Sequence, residues 1–151
     1  MKISPSNINS FLLFKLPSAW ICGVRLKSIS DQDCRVSVKH RWINQNPFNS
    51  MYFAVQNMAA ELSTGALVMK CIKESNTRVS MLVVKASSEY FKKATGRIQF
   101  YCSDGALISD TIKSCIKENS GKTIDMKVTA KNEDDVIVST FSFTWSVKPK
   151  V

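Results

Sequence analysis

The sequence predicts an α+β fold, in which a mainly antiparallel sheet of about six strands packs against one long helix. Three observations support this prediction. Only one stretch carries helical periodicity over many turns, and about six shorter stretches have the alternation or the apolar content of strands. The order is helix, two strands, long helix, two strands, helix, two strands, with no internal repeat. A chain of 151 residues can bury a sizeable core, and we expect residues 1–151 to form a single domain.

The N-terminal segment, residues 1–19, is predicted to be a flanking helix. Its apolar side comprises Ile8, Phe11, Leu12 and the stem of Lys15. We expect Ser6 or Asn7 to cap this helix, because their side chains accept hydrogen bonds from the first turn. Pro17 is expected to end it.

Two strands are predicted next, over residues 24–30 and 34–42, joined by a short polar turn. The second has the clearest alternation in the sequence, with apolar positions at Cys34, Val36, Val38 and Trp42. Because alternate side chains of a strand point to opposite faces, we expect one face of this strand to be buried and the other to be wet.

The long helix is predicted over residues 50–74. Its apolar residues recur at three- and four-residue steps, namely Met51, Val55, Met58, Leu62, Ala66 and Met69. Pro47 favours an extended entry, and Ser50 is placed to accept N–H groups of the first turn. Asn76 ends the pattern.

One carboxylate stands out on this helix. At about 100° per residue, Glu61 falls on the core-facing flank, in the same arc as Ala54, Gly65 and Ile72. Glutamate is usually solvated, and the small neighbours leave room beside it. We therefore single out Glu61 as the candidate functional residue of the helix.

The second half of the chain is predicted to contain four strands and one shorter helix. The strands cover residues 78–88, 97–103, 123–131 and 136–147, and the helix covers residues 106–118. The first of these strands is apolar on both faces, which is typical of a central strand. The last is one-sided, with apolar Phe141, Phe143, Trp145 and Val147. We expect Gly121 to close the shorter helix.

The charge balance restricts the partners. Twenty-one basic and twelve acidic residues give a net charge of +9, which attracts nucleic acid, acidic lipid or the phosphates of a nucleotide-type carrier. The basic residues are spread along the chain without a basic block or an aromatic RNA-binding motif, so we expect no nucleic-acid partner. The apolar run 11–14 is too short for a membrane span or a long signal sequence. We expect a cytoplasmic protein with no membrane partner.

Cysteine and histidine are not expected to form a site. The five cysteines are an odd number without a Cys-x-x-Cys pair, and four lie in apolar periodic segments. We expect reduced core thiols rather than disulfides or metal ligands. His40, the single histidine, has no cysteine, histidine or carboxylate at ligand spacing, so the sequence predicts no metal site.

The element order resembles the hotdog fold of acyl-CoA thioesterases and dehydratases, and the resemblance covers nearly the whole chain. In relatives of the phenylacetate-degradation and 4-hydroxybenzoyl-CoA thioesterases, Asn precedes a His-x-Gly motif at the helix start, and Asp or Glu follows nine residues after that His. These positions are held here by Asn46, Tyr52, Ala54 and Glu61. Ala59-Ala60-Glu61 is similar to the family's Leu-Ala-Asp/Glu, and residues 90–97 are similar to its aromatic, basic, Ala, Gly run.

Two positions depart from that pattern. Tyr52 stands where the family usually has His, and Ala54 where it usually has Gly. Some branches that lack the His keep the acid, and one of them is known mainly as a domain of unknown function. The chain resembles that branch, which implies a hotdog sheet wrapped around the long helix.

The resemblance implies hydrolysis of an acyl-CoA or another acyl thioester. The candidate catalytic residues are Glu61, as base or nucleophile, with Asn46 and Thr64. The candidate substrate-binding residues are Tyr52, Phe53, Ala54, Lys92, Lys93 and Arg97. Coenzyme A would enter as part of the substrate, and no separate cofactor is expected.

The chemistry then requires two subunits. The helix start offers free N–H groups and a positive dipole end to the oxygen that becomes negative, and partial burial would raise the pKa of Glu61 and make it a better base. Nine helical residues span about 13–14 Å, so the donors near Tyr52 and the acid of one subunit cannot reach one carbonyl. We expect a homodimer or a tetramer, with antiparallel long helices side by side and two equivalent sites per dimer.

A second interpretation stays open. Glu61 could be a core carboxylate that accepts a hydrogen bond from Thr64 or from a backbone group, with Asn46 and Tyr52 as ordinary helix-entry residues. The protein would then be a non-catalytic hotdog protein, either structural or binding acyl-CoA or an acyl carrier. Charged residues at a turn are usually just solvated, so Lys92 and Lys93 could also lack a ligand.

Overall fold

Six strands form one antiparallel sheet in the computed structural model, which describes residues 2–151. The strands are β1 Arg25–Ile29, β2 Cys34–Lys39, β3 Val79–Tyr90, β4 Arg97–Cys102, β5 Lys122–Lys131 and β6 Ile137–Pro149. Their order across the sheet is β1-β2-β4-β5-β6-β3. All five neighbouring pairs are antiparallel.

Four helices accompany the sheet. They are α1 Pro5–Lys15, α2 Pro17–Ile21, α3 Phe53–Glu74 and α4 Gly105–Glu118. The long helix α3 contacts all six strands, and α4 packs beside it against β5 and β6. Half of the residues of α3 are buried, among them Ala59, Ala60, Gly65 and Ala66, whose small side chains let the sheet approach closely. The predicted α+β fold with one long central helix is confirmed.

The strand periodicity is confirmed where one face of a strand is buried. The inward residues of β6 are all buried, namely Phe141, Phe143, Trp145 and Val147. In β2, Cys34, Val36 and Val38 are buried as predicted. Trp42 is not, because β2 ends at Lys39 and Trp42 begins a short 3-10 turn, where its side chain is 81% exposed.

The N-terminal helix begins before the predicted caps, Ser6 or Asn7, and is followed by a second helix. Ser4 is the N-cap, with its Oγ accepting a 3.3 Å hydrogen bond from the Asn7 N–H. Helix α1 ends at Lys15, just before Pro17 as expected, but Pro17 also starts the second helix α2, so the flanking segment holds two helices rather than one. Proline suits the first position of a helix, where its missing N–H has no intrahelical partner.

The start of the central helix also differs. The predicted first residues, Ser50 and Met51, lie outside α3, and Met51 forms an isolated bridge with Gln45. Ser50 does not cap the helix. Its hydroxyl and amide are hydrogen bonded to Asn46, in the turn that precedes the helix.

Strand β3 lies at the edge of the sheet, so the prediction of a central strand was wrong. It pairs only with β6, and Leu82 and Val84 on it are 64% and 52% exposed. Its register shifts at Val84, where a bulge interrupts the ladder. In β3, apolar side chains on both faces therefore accompany an unpaired edge and not neighbours on both sides. An exposed apolar edge strand is a surface that can pair with another chain.

The end of α4 is closed by a residue other than the predicted one. Asn119 adopts the left-handed conformation, with φ 48°, and its N–H bonds to the carbonyls of Cys115 and Ile116. Asparagine is the second choice after glycine for this position. Gly121 follows after the cap.

Candidate functional site

The Glu61 side chain is half-buried on the flank of α3. Within residues 2–151, no group donates a hydrogen bond to its carboxylate. The Thr64 hydroxyl donates 2.9 Å to the main-chain carbonyl of Glu61 and not to its carboxylate. Burial raises the pKa of Glu61 above its ordinary value. A desolvated carboxylate with free lone pairs is suited to accept a proton.

The bare Cα of Gly65 makes room for Glu61. A Cβ added to Gly65 would lie 3.2 Å from Glu61 Oε1 and 3.2 Å from the Trp145 ring. Trp145 Nε1 donates a 2.9 Å hydrogen bond to Thr64 Oγ1, which ties β6 to α3 at this point. The Thr64 hydroxyl is fully buried, and it both donates a hydrogen bond to the Glu61 carbonyl and accepts one from Trp145. The Cβ position of Gly65 is therefore bounded by the Glu61 carboxylate and by the Trp145 ring.

A pocket of about 560 Å³ opens at the start of α3. It contains five of the predicted site residues, namely Asn46, Tyr52, Phe53, Lys92 and Lys93. Aromatic side chains supply much of its wall, with Phe48, Tyr90 and Phe91 added to those above. Ala54, Glu61, Thr64 and Arg97 are not part of its lining. One subunit thus brings together the helix start and the lysines, and leaves the acid elsewhere.

Two backbone donors remain free at the helix start. The Tyr52 N–H is bonded to the Asn44 carbonyl at 2.9 Å, and the Val55 N–H to the Tyr52 carbonyl at 3.0 Å. Within the described chain, the N–H groups of Phe53 and Ala54 have no acceptor. They point out of the first turn, where the helix dipole is positive. Of the three predicted donors, two are available.

The Asn46 side chain is occupied by its own turn. Its Oδ1 accepts from the Phe48 N–H at 2.9 Å and the Ser50 N–H at 3.2 Å, and its Nδ2 donates to Ser50 Oγ at 2.9 Å. One amide hydrogen stays available at the edge of the pocket. Asn46 therefore shapes the entry to α3 and keeps a single donor for a ligand.

The basic residues divide into two groups. Lys93 Nζ donates to the Phe48 carbonyl at 3.1 Å, and Lys92 is exposed beside it at the pocket rim. Arg97 lies on β4, where its guanidinium donates to Ser37 Oγ on β2 at 3.0 Å. Because its guanidinium is hydrogen bonded to the neighbouring strand β2, Arg97 does not line the pocket with the two lysines.

Sequence reasoning missed a buried polar residue in the pocket, Gln56. Its Oε1 accepts a 2.8 Å hydrogen bond from Ser139 Oγ, and its Nε2 donates to the Met51 carbonyl at 3.4 Å. Gln56 lies one helical turn after Tyr52, so the spacing could have placed it on the same face. Its partner Ser139 is 83 residues away, and no local signal could have found it.

A second pocket, of about 400 Å³, lies at the other end of α3 between the β1–β2 turn and α4. Among its charged residues Lys70 forms ion pairs with Asp31 and Glu74, and Asp110 and Lys113 also line it, so three carboxylates accompany two lysines. Among residues 2–151 no cluster of three or more histidine, cysteine or carboxylate side chains could hold a metal ion. In the same part of the chain, no helix is long and apolar enough to cross a membrane.

The sequence matches one family model. Residues 6–147 match the family described as a domain of unknown function, DUF4442. Among the curated proteins none matches the chain.

Several solved structures share the fold. A Pseudomonas aeruginosa protein of unknown function, described as a probable thioesterase, is 17% identical, with a TM-score of 0.82 over 97% of each chain. A protein of unknown function from Chlorobaculum tepidum is 14% identical, with a TM-score of 0.83 over 99% of each chain. A thioesterase of Haemophilus influenzae is 10% identical, with a TM-score of 0.73 over 97% of this chain and 91% of that one. These similarities confirm the predicted hotdog fold.

Proposed function

The chain belongs to the DUF4442 family, and from this premise we propose that it hydrolyses acyl-CoA or another acyl thioester at a site shared by two subunits. The observation that carries the proposal is the Glu61 carboxylate, which is half-buried, has no hydrogen-bond donor among residues 2–151 and has a raised pKa. Two of the similar structures bear the name thioesterase, which supports the same chemistry. No cofactor takes part in the proposed reaction.

The proposed reaction uses Glu61 as a general base. Glu61 takes a proton from water as the water oxygen attacks the thioester carbonyl carbon. The N–H groups of Phe53 and Ala54 stabilise the resulting oxyanion. Collapse of this intermediate breaks the C–S bond, and the proton returns to the thiolate, so the products are a carboxylic acid and a thiol. Direct attack by the carboxylate, with hydrolysis of the resulting anhydride, would give the same products.

The helix geometry supports a site between two subunits. Glu61 lies about two turns beyond the free donors of Phe53 and Ala54, outside the pocket that Phe53 lines. Gly65, whose added Cβ would approach Glu61, faces Trp145 on β6, and β6 pairs with the edge strand β3, whose apolar Leu82 and Val84 are exposed. A second copy related by a two-fold axis would cover this edge and bring its Glu61 to the donors of the first. We propose a homodimer, or a tetramer built from such dimers.

We propose that the carrier phosphates lie at Lys92 and Lys93. Both lysines are at the pocket rim, and the net charge of +9 favours an anion. We expect coenzyme A to bind more weakly as salt rises, because exposed ion pairs are screened. Isothermal titration at several salt concentrations measures this, with Lys92→Ala/Lys93→Ala as the variant and Lys117→Ala on α4 as the control. Tighter binding of a random DNA duplex than of coenzyme A at physiological salt would favour a nucleic-acid partner instead.

Substitution of Gly65 tests what holds Glu61 in place. In Gly65→Ala, the new methyl group would push Glu61 Oε1 and the Trp145 ring, both 3.2 Å away. We expect lower turnover. We also expect the loss of rate on the acid side of the pH–rate profile to occur at a lower pH, because a displaced Glu61 carboxylate is better solvated and its pKa is raised less. Alanine also favours a helix by about 1 kcal/mol over glycine, which offsets part of the strain. Gly121→Ala is the control, since its nearest neighbour is 3.7 Å from the added Cβ.

A non-catalytic acyl-thioester binder is the alternative. Tyr52 replaces the usual His, and the polar groups of Asn46 and Thr64 are largely bonded within the chain. A hydrolysis screen over short, long and aromatic acyl-CoAs, read as free thiol released, distinguishes the two. Release above background from any of them supports the enzyme. Binding without release from all of them supports the binder.

A further inference from the structure

Two buried thiols lie directly opposite each other in the sheet. Cys34 is the first residue of β2 and Cys102 is the last residue of β4, and they are partners in the antiparallel ladder. Directly opposed residues have Cα atoms roughly 4.5–5.5 Å apart, and disulfides join Cα atoms about 4.4–6.8 Å apart. A disulfide between these residues therefore fits the existing strand register.

The pair lies where a small oxidant can reach it. Cys34 and Cys102 are each 1% exposed, yet both line a pocket of about 290 Å³ with Asp33 and Ser103. Both are terminal residues of their strands, and strand ends open locally at lower free energy than strand centres. Local opening thus exposes the sulfurs without unfolding the sheet.

The other three cysteines lack such a partner. Cys22 is at the end of α2, Cys71 is in α3 and Cys115 is in α4, so none of them has a cross-strand neighbour. Residue pairing across the sheet therefore selects one pair out of five thiols.

We propose that Cys34 and Cys102 form a reversible intramolecular disulfide when the protein meets hydrogen peroxide. The thiolate of one cysteine attacks a peroxide oxygen and the O–O bond breaks, giving a sulfenic acid and a hydroxide, which becomes water by taking up the proton released when the thiol ionised. The second thiol then attacks that sulfur and displaces a second water. Overall, two thiols lose two hydrogen atoms and one peroxide is reduced to two waters. The inference is independent of the proposed hydrolase activity.

Burial disfavours the thiolate form of both cysteines. Burial and, to a smaller extent, the charge of Asp104 raise the pKa of Cys102 to about 12, even though a hydrogen bond from the Asp104 N–H opposes the rise. Burial, with Cys102 and Asp33 nearby, holds the pKa of Cys34 well above its usual range. For both thiols the rate of oxidation should rise with pH, because the thiolate is the reacting form and burial disfavours it.

The disulfide would close a loop that contains all of α3. The disulfide would join one end of β2 to β4, and the Lys39–Arg97 pair lies at the other end. The Lys39–Arg97 end is the one nearer the pocket at the helix start. Linking residues far apart in sequence restricts the unfolded chain, so oxidised protein should melt several degrees higher than reduced protein. Reduction by dithiothreitol should reverse the shift.

The test uses the purified full-length chain, reduced, desalted and then treated with hydrogen peroxide. We expect an intact mass lower by two hydrogen atoms, a fall from five titratable thiols to three, and one disulfide-linked peptide containing Cys34 and Cys102. Cys34→Ala and Cys102→Ala should abolish the link, and Cys22→Ala should retain it. Melting curves of all variants establish that they are folded.

Several outcomes would overturn the proposal. They are a disulfide that involves Cys22, Cys71 or Cys115, a link between two chains, oxidation only to sulfinic or sulfonic acid, or thiols that stay reduced in peroxide at mildly alkaline pH. Peptide mapping of the wild-type protein separates these results even if an alanine variant fails to fold.

Discussion

Replacing Glu61 by glutamine is expected to reduce turnover of a cleavable acyl-CoA on the order of a hundredfold or more, with little change in ligand affinity. Glutamine keeps the shape and most of the packing but cannot accept the proton. Steady-state hydrolysis measures the first effect and equilibrium binding of coenzyme A the second. Glu74→Gln is the matched control, since it lies on the same helix at an exposed position.

Melting temperature separates a catalytic Glu61 from a structural one. If its carboxylate satisfied buried donors, the amide would leave them unpaired and destabilise the fold by roughly 1–3 kcal/mol. Within residues 2–151 no donor reaches this carboxylate, so we expect Glu61→Gln to melt no lower than the wild type at neutral pH. Unchanged turnover together with a clearly lowered melting temperature would mean that Glu61 is a core residue and not a catalyst.

The pH dependence has a definite sign. Burial raises the folded-state pKa of Glu61 above its ordinary value of 4.5, so the folded protein binds the proton more tightly than the unfolded chain. The free energy of unfolding therefore falls as pH rises from the ordinary pKa through the raised pKa of Glu61. It stays lower at every pH above the raised pKa. Glu61→Gln lacks this titration. Turnover of the wild type should fall as pH drops through the raised pKa, because the base is then protonated.

Two inactive variants should restore activity when mixed, if the site is shared by two subunits. Phe53→Pro removes one oxyanion donor, and proline is tolerated at the first helical position. The activity of Phe53→Pro alone should be low. Phe53→Ala is its control, because it loses the aromatic ring but retains the N–H and so reports the effect of the pocket wall alone. Glu61→Gln retains the donors and lacks the base.

A heterodimer of Phe53→Pro with Glu61→Gln has one intact site and one doubly defective site. Random reassociation makes half of the dimers mixed, so activity should return to about a quarter of the wild-type value. Unfolding and refolding the variants together, followed by hydrolysis, measures this. No recovery in mixtures that light scattering shows to be dimeric would place donors and base in one subunit. A wild-type protein that is a stable monomer at micromolar concentration would contradict the shared site directly.

The sequence determined the kinds and order of the elements, because hydrophobic period is a local property. The steps from Val55 to Met69 predict α3, and the alternation from Phe141 to Val147 predicts β6, without knowledge of any neighbour. The same helical spacing placed Glu61 on the core-facing flank, where its carboxylate is half-buried. Tyr52 and Phe53, named from the sequence as site residues, both line the pocket at the helix start.

The tertiary structure decided what local pattern leaves open. Strand β3 is apolar on both faces, yet it lies at the sheet edge, where Leu82 and Val84 are exposed. A hydrophobic pattern records which side chains are apolar, and it does not record which element covers them. Trp145 meets Thr64 across 81 residues, and Cys34 faces Cys102 only because β2 pairs with β4. Such contacts depend on strand order, which is set by the packing of the whole sheet around α3.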